Sequence, residues 1–100
     1  MQILNWGRAR DFYRKHPKAE QPLKRWRRDA QSAAWSTFPV VRKTFNAVDW
    51  VDGKLVFDIK GNDYRLIAIA EFADGKVYIQ RGLTHEEYDK GAWKSKKSGR

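Results

Sequence analysis

The 100-residue chain contains no cysteine, so neither a disulfide framework nor a thiolate zinc site is available to it. No apolar run approaches the roughly 20 residues that a membrane span needs. The opening MQILNWGRARDF lacks the apolar core of a signal peptide, and the expectation is a cytoplasmic protein with no membrane part. Internal repeats, low-complexity segments and signs of a second domain are missing as well. Acidic residues are scarce: 12 Asp and Glu stand against 21 Lys and Arg, a net charge of +9. That imbalance favours a polyanionic partner, either nucleic acid or a phospholipid surface. A charged surface that merely keeps a small domain soluble is the plainer reading of the same numbers.

What is present argues for a folded domain. Hydrophobic residues make up 41% and aromatics 14%, with five tryptophans. Burying each tryptophan contributes roughly 2–3 kcal/mol. The first third reads as basic and helical. ILNW forms a short opening strand, and Asn5 caps a helix through GRARDFYRKH that Pro17 ends. A second helix fits EQPLKRWRRDAQSAAW, with Pro22 in its first turn. Leu23, Trp26, Ala30, Ala33 and Ala34 make its apolar stripe, and Lys24, Arg25, Arg27, Arg28 and Gln31 its other side. STFPVVRKTFN reads as a connecting loop.

From Ala47 the period becomes that of strands. AVDWV and KLVFDI are joined by Asp52-Gly53, a strong hairpin signal because both positions want positive φ. YRLIAIAEF follows Gly61-Asn62, and KVYIQRGL follows ADG, completing an antiparallel meander. The Gly61-Asn62 turn pairs Asp58 with Arg65, Phe57 with Leu66 and Val56 with Ile67, which sets opposite charges side by side. The next turn has two readings. A two-residue Asp74-Gly75 loop sets Arg81 opposite Ala68. A three-residue loop with Gly75 left-handed pairs Ile67 with Arg81 and Ile69 with Ile79.

The three-residue loop sorts the side chains better. Trp50, Leu55, Phe57, Ile59, Tyr64, Leu66, Ala68, Ala70 and Phe72 then form one apolar face for the helices to cover. The other face carries Val56, Ile67, Ile69, Val77 and Ile79 at one end and Asp58, Lys60, Arg65 and Arg81 at the other. Each cation alone reads as a solvated or simply paired charge; three from separate positions at one corner suit a phosphate. Thr84 and Glu87 spell a capping box, so a helix starts directly after the Arg81 strand. It brings His85 to that corner, with Tyr88 and Asp89 on the same helical face. Asp89 can orient the imidazole, and the helix start and guanidiniums favour a neutral ring that serves as a base. An isolated HEEYD would be an ordinary surface helix start; the neighbouring cations shift the reading.

The order F-x-I-x-G-N-x-Y-R-L (57–66), G-x-V-Y-I (75–79) and T-H-x-E-Y-D (84–89) resembles the signature half of the HigB family of bacterial toxins, within the RelE-type superfamily. The resemblance implies an α+β fold. Two N-terminal helices pack on one face of a curved antiparallel sheet, followed by a short C-terminal helix. Residues 1–94 are the toxin domain and 95–100 a basic tail. It implies a metal-independent, cofactor-free endoribonuclease that cleaves mRNA on the ribosome, and a HigA-like helix-turn-helix antitoxin as partner. By the same resemblance Lys60, Arg65 and Arg81 hold phosphate, and His85 moves the proton. Tyr88 and Asp89 share its motif. Asn62 is an expected RNA contact, and Lys24, Arg25, Arg27 and Arg28 on the second helix read as contacts to ribosomal RNA phosphates, as the docking surface of an acidic antitoxin, or as a solvated face. Two rivals stand beside it. One is a non-catalytic RNA-binding module that stacks bases on tryptophans. The other is a superfamily toxin that poisons another target, such as gyrase.

Overall fold

A computed structural model of the chain describes residues 1–91 and Trp93. The 95–100 tail lies outside the described residues. The opening strand is β1 (Gln2–Leu4), followed by α1 (Trp6–Lys15). Asn5 does not cap α1 with its side chain. It sits in the left-handed region at φ 62, which asparagine tolerates better than most residues, and its carbonyl accepts from the Arg8 N–H. Pro17 ends α1 as expected and opens a single 3-10 turn (Pro17–Ala19) that runs straight into α2 (Glu20–Ser32). That helix buries Leu23, Trp26 and Ala30 but stops before Ala33, whose backbone is extended. Ala33 and Ala34 therefore do not belong to its stripe.

The segment expected to be a loop contains a helix, α3 (Phe38–Thr44). Seven residues span only two turns, too short for a helical period to stand out. Burial of Val41 and the bond from Trp35 Nε1 to Thr44 Oγ1 (3.0 Å) anchor it. Beyond it Phe45 packs with Trp26, Trp35 and Phe57 in one aromatic cluster, centroids 5.4–6.1 Å from Phe45.

The meander is β2 (Val48–Val51), β3 (Lys54–Ile59), β4 (Tyr64–Glu71) and β5 (Lys76–Thr84), and α4 (His85–Lys90) follows without a loop. Asp52 (φ 54) and Gly53 (φ 76) both take positive φ, as the hairpin reading requires. The strand order is β1-β5-β4-β3-β2. Because β1 joins β5 in parallel, the five-stranded sheet is mixed rather than wholly antiparallel. The α+β architecture stands, with three helices before the meander instead of two.

The β3/β4 register is the expected one, Asp58 opposite Arg65. In β4/β5, Ile67 pairs with Arg81 as preferred, but the register shifts between Ile67 and Ala68. Beyond the shift Ala68 meets Ile79 and Ile69 meets Tyr78, so the expected Ile69–Ile79 pair does not form. Gln80 is the additional residue of this bulge, which changes the face taken by the residues before it. Val77 and Ile79 accordingly join Leu55, Phe57, Leu66 and Ala68 in the core under the helices, both fully buried. The turn itself is longer than either reading: a 3-10 turn (Phe72–Asp74) closed by Gly75 in the expected left-handed conformation. Trp50 lies at the rim, 49% exposed, against Phe38 and Phe72.

The opposite face has its own small core of Val56, Ile67, Leu83 and Trp93, on which Val51 and Tyr88 pack. Helix α4 thus folds back over the side of the sheet that the other helices leave open. Among the described residues no helix is long and apolar enough to cross a membrane.

Helix α1 crosses β5 at Gly82, and a Cβ built there would lie 2.5 Å from Cγ of Phe12 and 3.0 Å from its Cβ. That is closer than any side chain accommodates without displacing the helix. Gly82→Ala should lower stability by about 1–3 kcal/mol, an overpacking penalty, seen as a lower denaturant midpoint. A midpoint equal to wild type would show that α1 does not bear on this strand.

Candidate functional site

The site is built around a buried cation. Arg65 retains 7% exposure on the face of β4 opposite the helices. Its Nε lies 3.2 Å from Oδ1 of Asp58, its cross-strand partner. Nη1 donates to the carbonyls of Asn62 (3.0 Å) and Tyr64 (3.2 Å). Nη2 donates to Oδ1 of Asn62 (2.7 Å) and meets Nδ1 of His85 at 3.2 Å. Both Nη atoms thus make two contacts each, and Nε faces the carboxylate. The Tyr88 ring covers the guanidinium at 5.0 Å. The turn before β4 makes this possible: Lys60 (φ 54) and Gly61 (φ 63) both turn left-handed, and the Asp63 N–H closes on the Lys60 carbonyl. The chain then curls so that Asn62 presents its backbone and side-chain oxygens to Arg65.

Helix α4 begins where the capping box said it would. Thr84 Oγ1 accepts from the Glu87 N–H (3.1 Å), and Glu87 Oε1 accepts from the Thr84 N–H (2.9 Å). The His85 N–H donates to the Asp63 carbonyl (2.9 Å), tying the helix start to the turn that holds Arg65. On the far side of the ring, Nε2 of His85 lies 3.1 Å from Oδ2 of Asp89. Both partners are one-way: guanidinium only donates, carboxylate only accepts. The arrangement places a lone pair on Nδ1, facing the guanidinium, and hydrogen on Nε2, facing the carboxylate.

Lys60, Asn62 and His85 line one hollow, with Tyr64 and Thr84 in its wall. Lys60 is paired there with Asp63 at 3.1 Å. Lys18, from the turn between α1 and α2, lines the same hollow and was not foreseen, since nothing in the pattern of a short connector points toward a distant strand end. Arg81 shares Arg65's side of the sheet, as the paired residues Ile67 and Leu83 require, but it lines an adjoining hollow with Arg8, Lys15, His16 and Lys54. The expected corner is therefore divided: Lys60, Asn62 and His85 line one hollow, where Lys18 and Lys60 are balanced by Asp63 and Glu86, Arg81 lines the other, and Arg65 lines neither. Lys24, Arg25, Arg27 and Arg28 line neither hollow. On α2, Lys24 pairs with Glu20 (2.6 Å), Arg28 lies 3.8 Å from Asp29 and Arg27 stacks on Trp6 at 4.7 Å.

Tyr88 is held between Arg65 and Trp93, stacking on the indole at 5.1 Å, while Trp93 Nε1 donates to the Tyr88 carbonyl. Burial, reinforced by Asp49, Asp58 and Asp89 and opposed by Arg65, raises the phenol above its ordinary value of 10.0. A raised value in the folded state means that folding favours the neutral phenol. This contribution is complete below pH 10.0 and is lost as the pH climbs through the folded value. Above pH 10.0 the wild-type denaturant midpoint should fall more steeply than that of Tyr88→Phe, which has no phenol to ionise. Parallel pH curves for the two proteins would contradict this account.

Residues 19–91 match the family model of HigB_toxin, described as the RelE-like toxic component of a toxin-antitoxin system. The mRNA interferase toxin HigB of Escherichia coli (strain K12) is 25% identical over 92 residues, covering 89% of this chain and 88% of that protein. The mRNA interferase HigB of Shigella flexneri shows the same identity and coverage. The family match takes in the turn around Arg65, the bulged strand and the capped helix of His85, and on that match the chain belongs to the HigB family of RelE-like toxins.

Proposed function

We propose that this toxin is an endoribonuclease that cleaves mRNA by transferring a phosphoryl group within the substrate. The observation that supports it best is the unbroken chain from Asp58 through Arg65 and His85 to Asp89, beside a hollow that Lys18 and Lys60 line. A 2′-hydroxyl attacks the adjacent phosphorus, leaving a 2′,3′-cyclic phosphate and a 5′-hydroxyl; the dependence on RNA follows from that hydroxyl. His85 takes the proton and Asp89 orients its ring. Lys60, Lys18 and Arg81 bring positive charge to the phosphates, while Tyr88 and Asn62 hold Arg65 in place. Side chains supply both the charge and the proton transfer, so the reaction needs no metal and survives chelators. The names of the Escherichia coli and Shigella flexneri relatives point the same way.

Cleavage of transcripts during translation, in the cytoplasm, fits a chain with a net charge of +9. Arg25 and its neighbours on α2 would then meet ribosomal phosphates, which makes binding salt-sensitive. A HigA-like helix-turn-helix protein is the antitoxin that neutralises it.

Primer extension on cellular mRNA after induction tests the reading. Wild type should cut at codon-phased positions, and His85→Ala should reduce cleavage by about 10²–10⁴-fold without unfolding. Lys60→Ala should cost on the order of 10²–10³-fold. Intact transcripts alongside growth arrest would instead mark a toxin aimed at another target. RNA binding without any cuts would mark a binding module.

A further inference from the structure

The tautomer of His85 leaves Nδ1 as the nitrogen with a free lone pair, and in this structure Nη2 of Arg65 caps it at 3.2 Å. With Nδ1 facing a donor, the hydrogen belongs on Nε2, which lies 3.1 Å from Oδ2 of Asp89. We propose that Nδ1, not Nε2, is the atom that accepts the 2′-hydroxyl proton, and that Arg65 keeps this base covered until RNA phosphate takes the ring's place on its guanidinium. The proposal rests on the ribonuclease reading above.

The relative freedom of the two partners decides which one moves. The Arg65 side chain is 8% exposed, tied to Asp58, Asn62 and Tyr64 and stacked under Tyr88. The His85 side chain is 48% exposed and stands at the first position of a six-residue helix. Of the guanidinium's five donors, four meet oxygens of Asp58, Asn62 and Tyr64. The fifth meets the movable ring, so it is the one that an incoming phosphate oxygen can capture. Phosphate is the better acceptor for a cationic donor, since both sides of that bond are charged. Once displaced, the ring keeps its Nε2–H on Asp89, which stabilises the imidazolium as protonation proceeds.

The step balances. The O–H bond of the 2′-hydroxyl breaks and its proton goes to Nδ1. The oxygen forms its bond to phosphorus, and the 5′-oxygen leaves with the bonding pair and is protonated by solvent water. Imidazolium returns its proton to solvent, and Arg65 caps Nδ1 again after product leaves.

Nitrogen-15 histidine NMR on the full chain reads this directly. The free protein should show His85 with hydrogen on Nε2 and Nδ1 as a hydrogen-bonded acceptor. Saturation with an RNA oligonucleotide carrying 2′-O-methyl riboses, which cannot be cleaved, should shift the Nδ1 resonance as the cap is lost. Asp89→Asn, at a half-exposed surface position, should admit the other tautomer. It should lower kcat by about 10²–10⁴-fold with KM little changed, which a merely structural role would not do. Arg65→Lys should release the Nδ1 resonance in the free protein, provided that it folds; the wild-type and Asp89→Asn spectra stand without it. Hydrogen on Nδ1 in the free protein, or an Nδ1 resonance unmoved by bound RNA, overturns the proposal. An Nε2–H spectrum in a protein that cuts no RNA overturns it too, but by removing the reaction, and leaves the capped geometry intact.

Discussion

A guanidinium withdrawn from water to 7% exposure persists only if its charge and all its donors find partners, because an unmatched buried ion costs several kcal/mol. Arg65 meets that demand with acceptors from the neighbouring strand (Asp58), the preceding turn (Asn62), its own strand (Tyr64) and the following helix (His85). Each bond constrains a different piece of chain, so one side chain fixes where the turn, the sheet face and α4 lie relative to one another. The stack of Arg65, Tyr88 and Trp93 extends the constraint beyond the end of α4. The chemistry assigned to the site is a consequence of this arrangement, since the Arg65 donor that finds an acceptor in His85 also sets which ring nitrogen bears the lone pair.

The bulge at Gln80 performs a second, geometric task. Side chains of a strand alternate between faces, so an unbroken β5 that placed Arg81 beside Arg65's face would send Val77 and Ile79 to that face too. The extra residue breaks the alternation once. Val77 and Ile79 fill the core beneath the helices, while Arg81 and Leu83 stay on the face of Arg65. One strand thereby supplies an apolar half to the fold and a cationic half to the site.

Charge is distributed unevenly between the two layers. On α2, Lys24 and Arg28 sit in local ion pairs and Arg27 lies over an aromatic ring. Such exposed pairs contribute little to stability and leave the positive field available to a distant polyanion. The hollows beside His85 and Arg81 combine lysines and arginines from α1, the turn after it, β3 and β5. Positive charge is concentrated by the fold in the Arg81 hollow, while beside His85 Asp63 and Glu86 balance the two lysines.

Much of this architecture was legible along the chain. Asp52-Gly53, the alternating strands, the pairing of Asp58 with Arg65 and the capping box at Thr84 are governed by interactions among near neighbours, and the structure contains them all. The motif order around Arg65 and His85 also carried the family, which the match over residues 19–91 bears out. Other features depend on partners far away in sequence. Helix α3 is too short to declare itself without Trp35 and the aromatic cluster around Phe45. The bulge reflects which core the β5 side chains can fill, and the parallel seat of β1 depends on an edge that exists only after β5 has paired. Lys18 reaches the hollow because two helices stack, and Arg65 spends its donors on the chain because burial leaves it no water. Local propensity and periodicity determine which elements form; the partners that a buried charge such as Arg65 needs, and the cover for each apolar face, belong to the assembled whole, and only the tertiary structure could decide them.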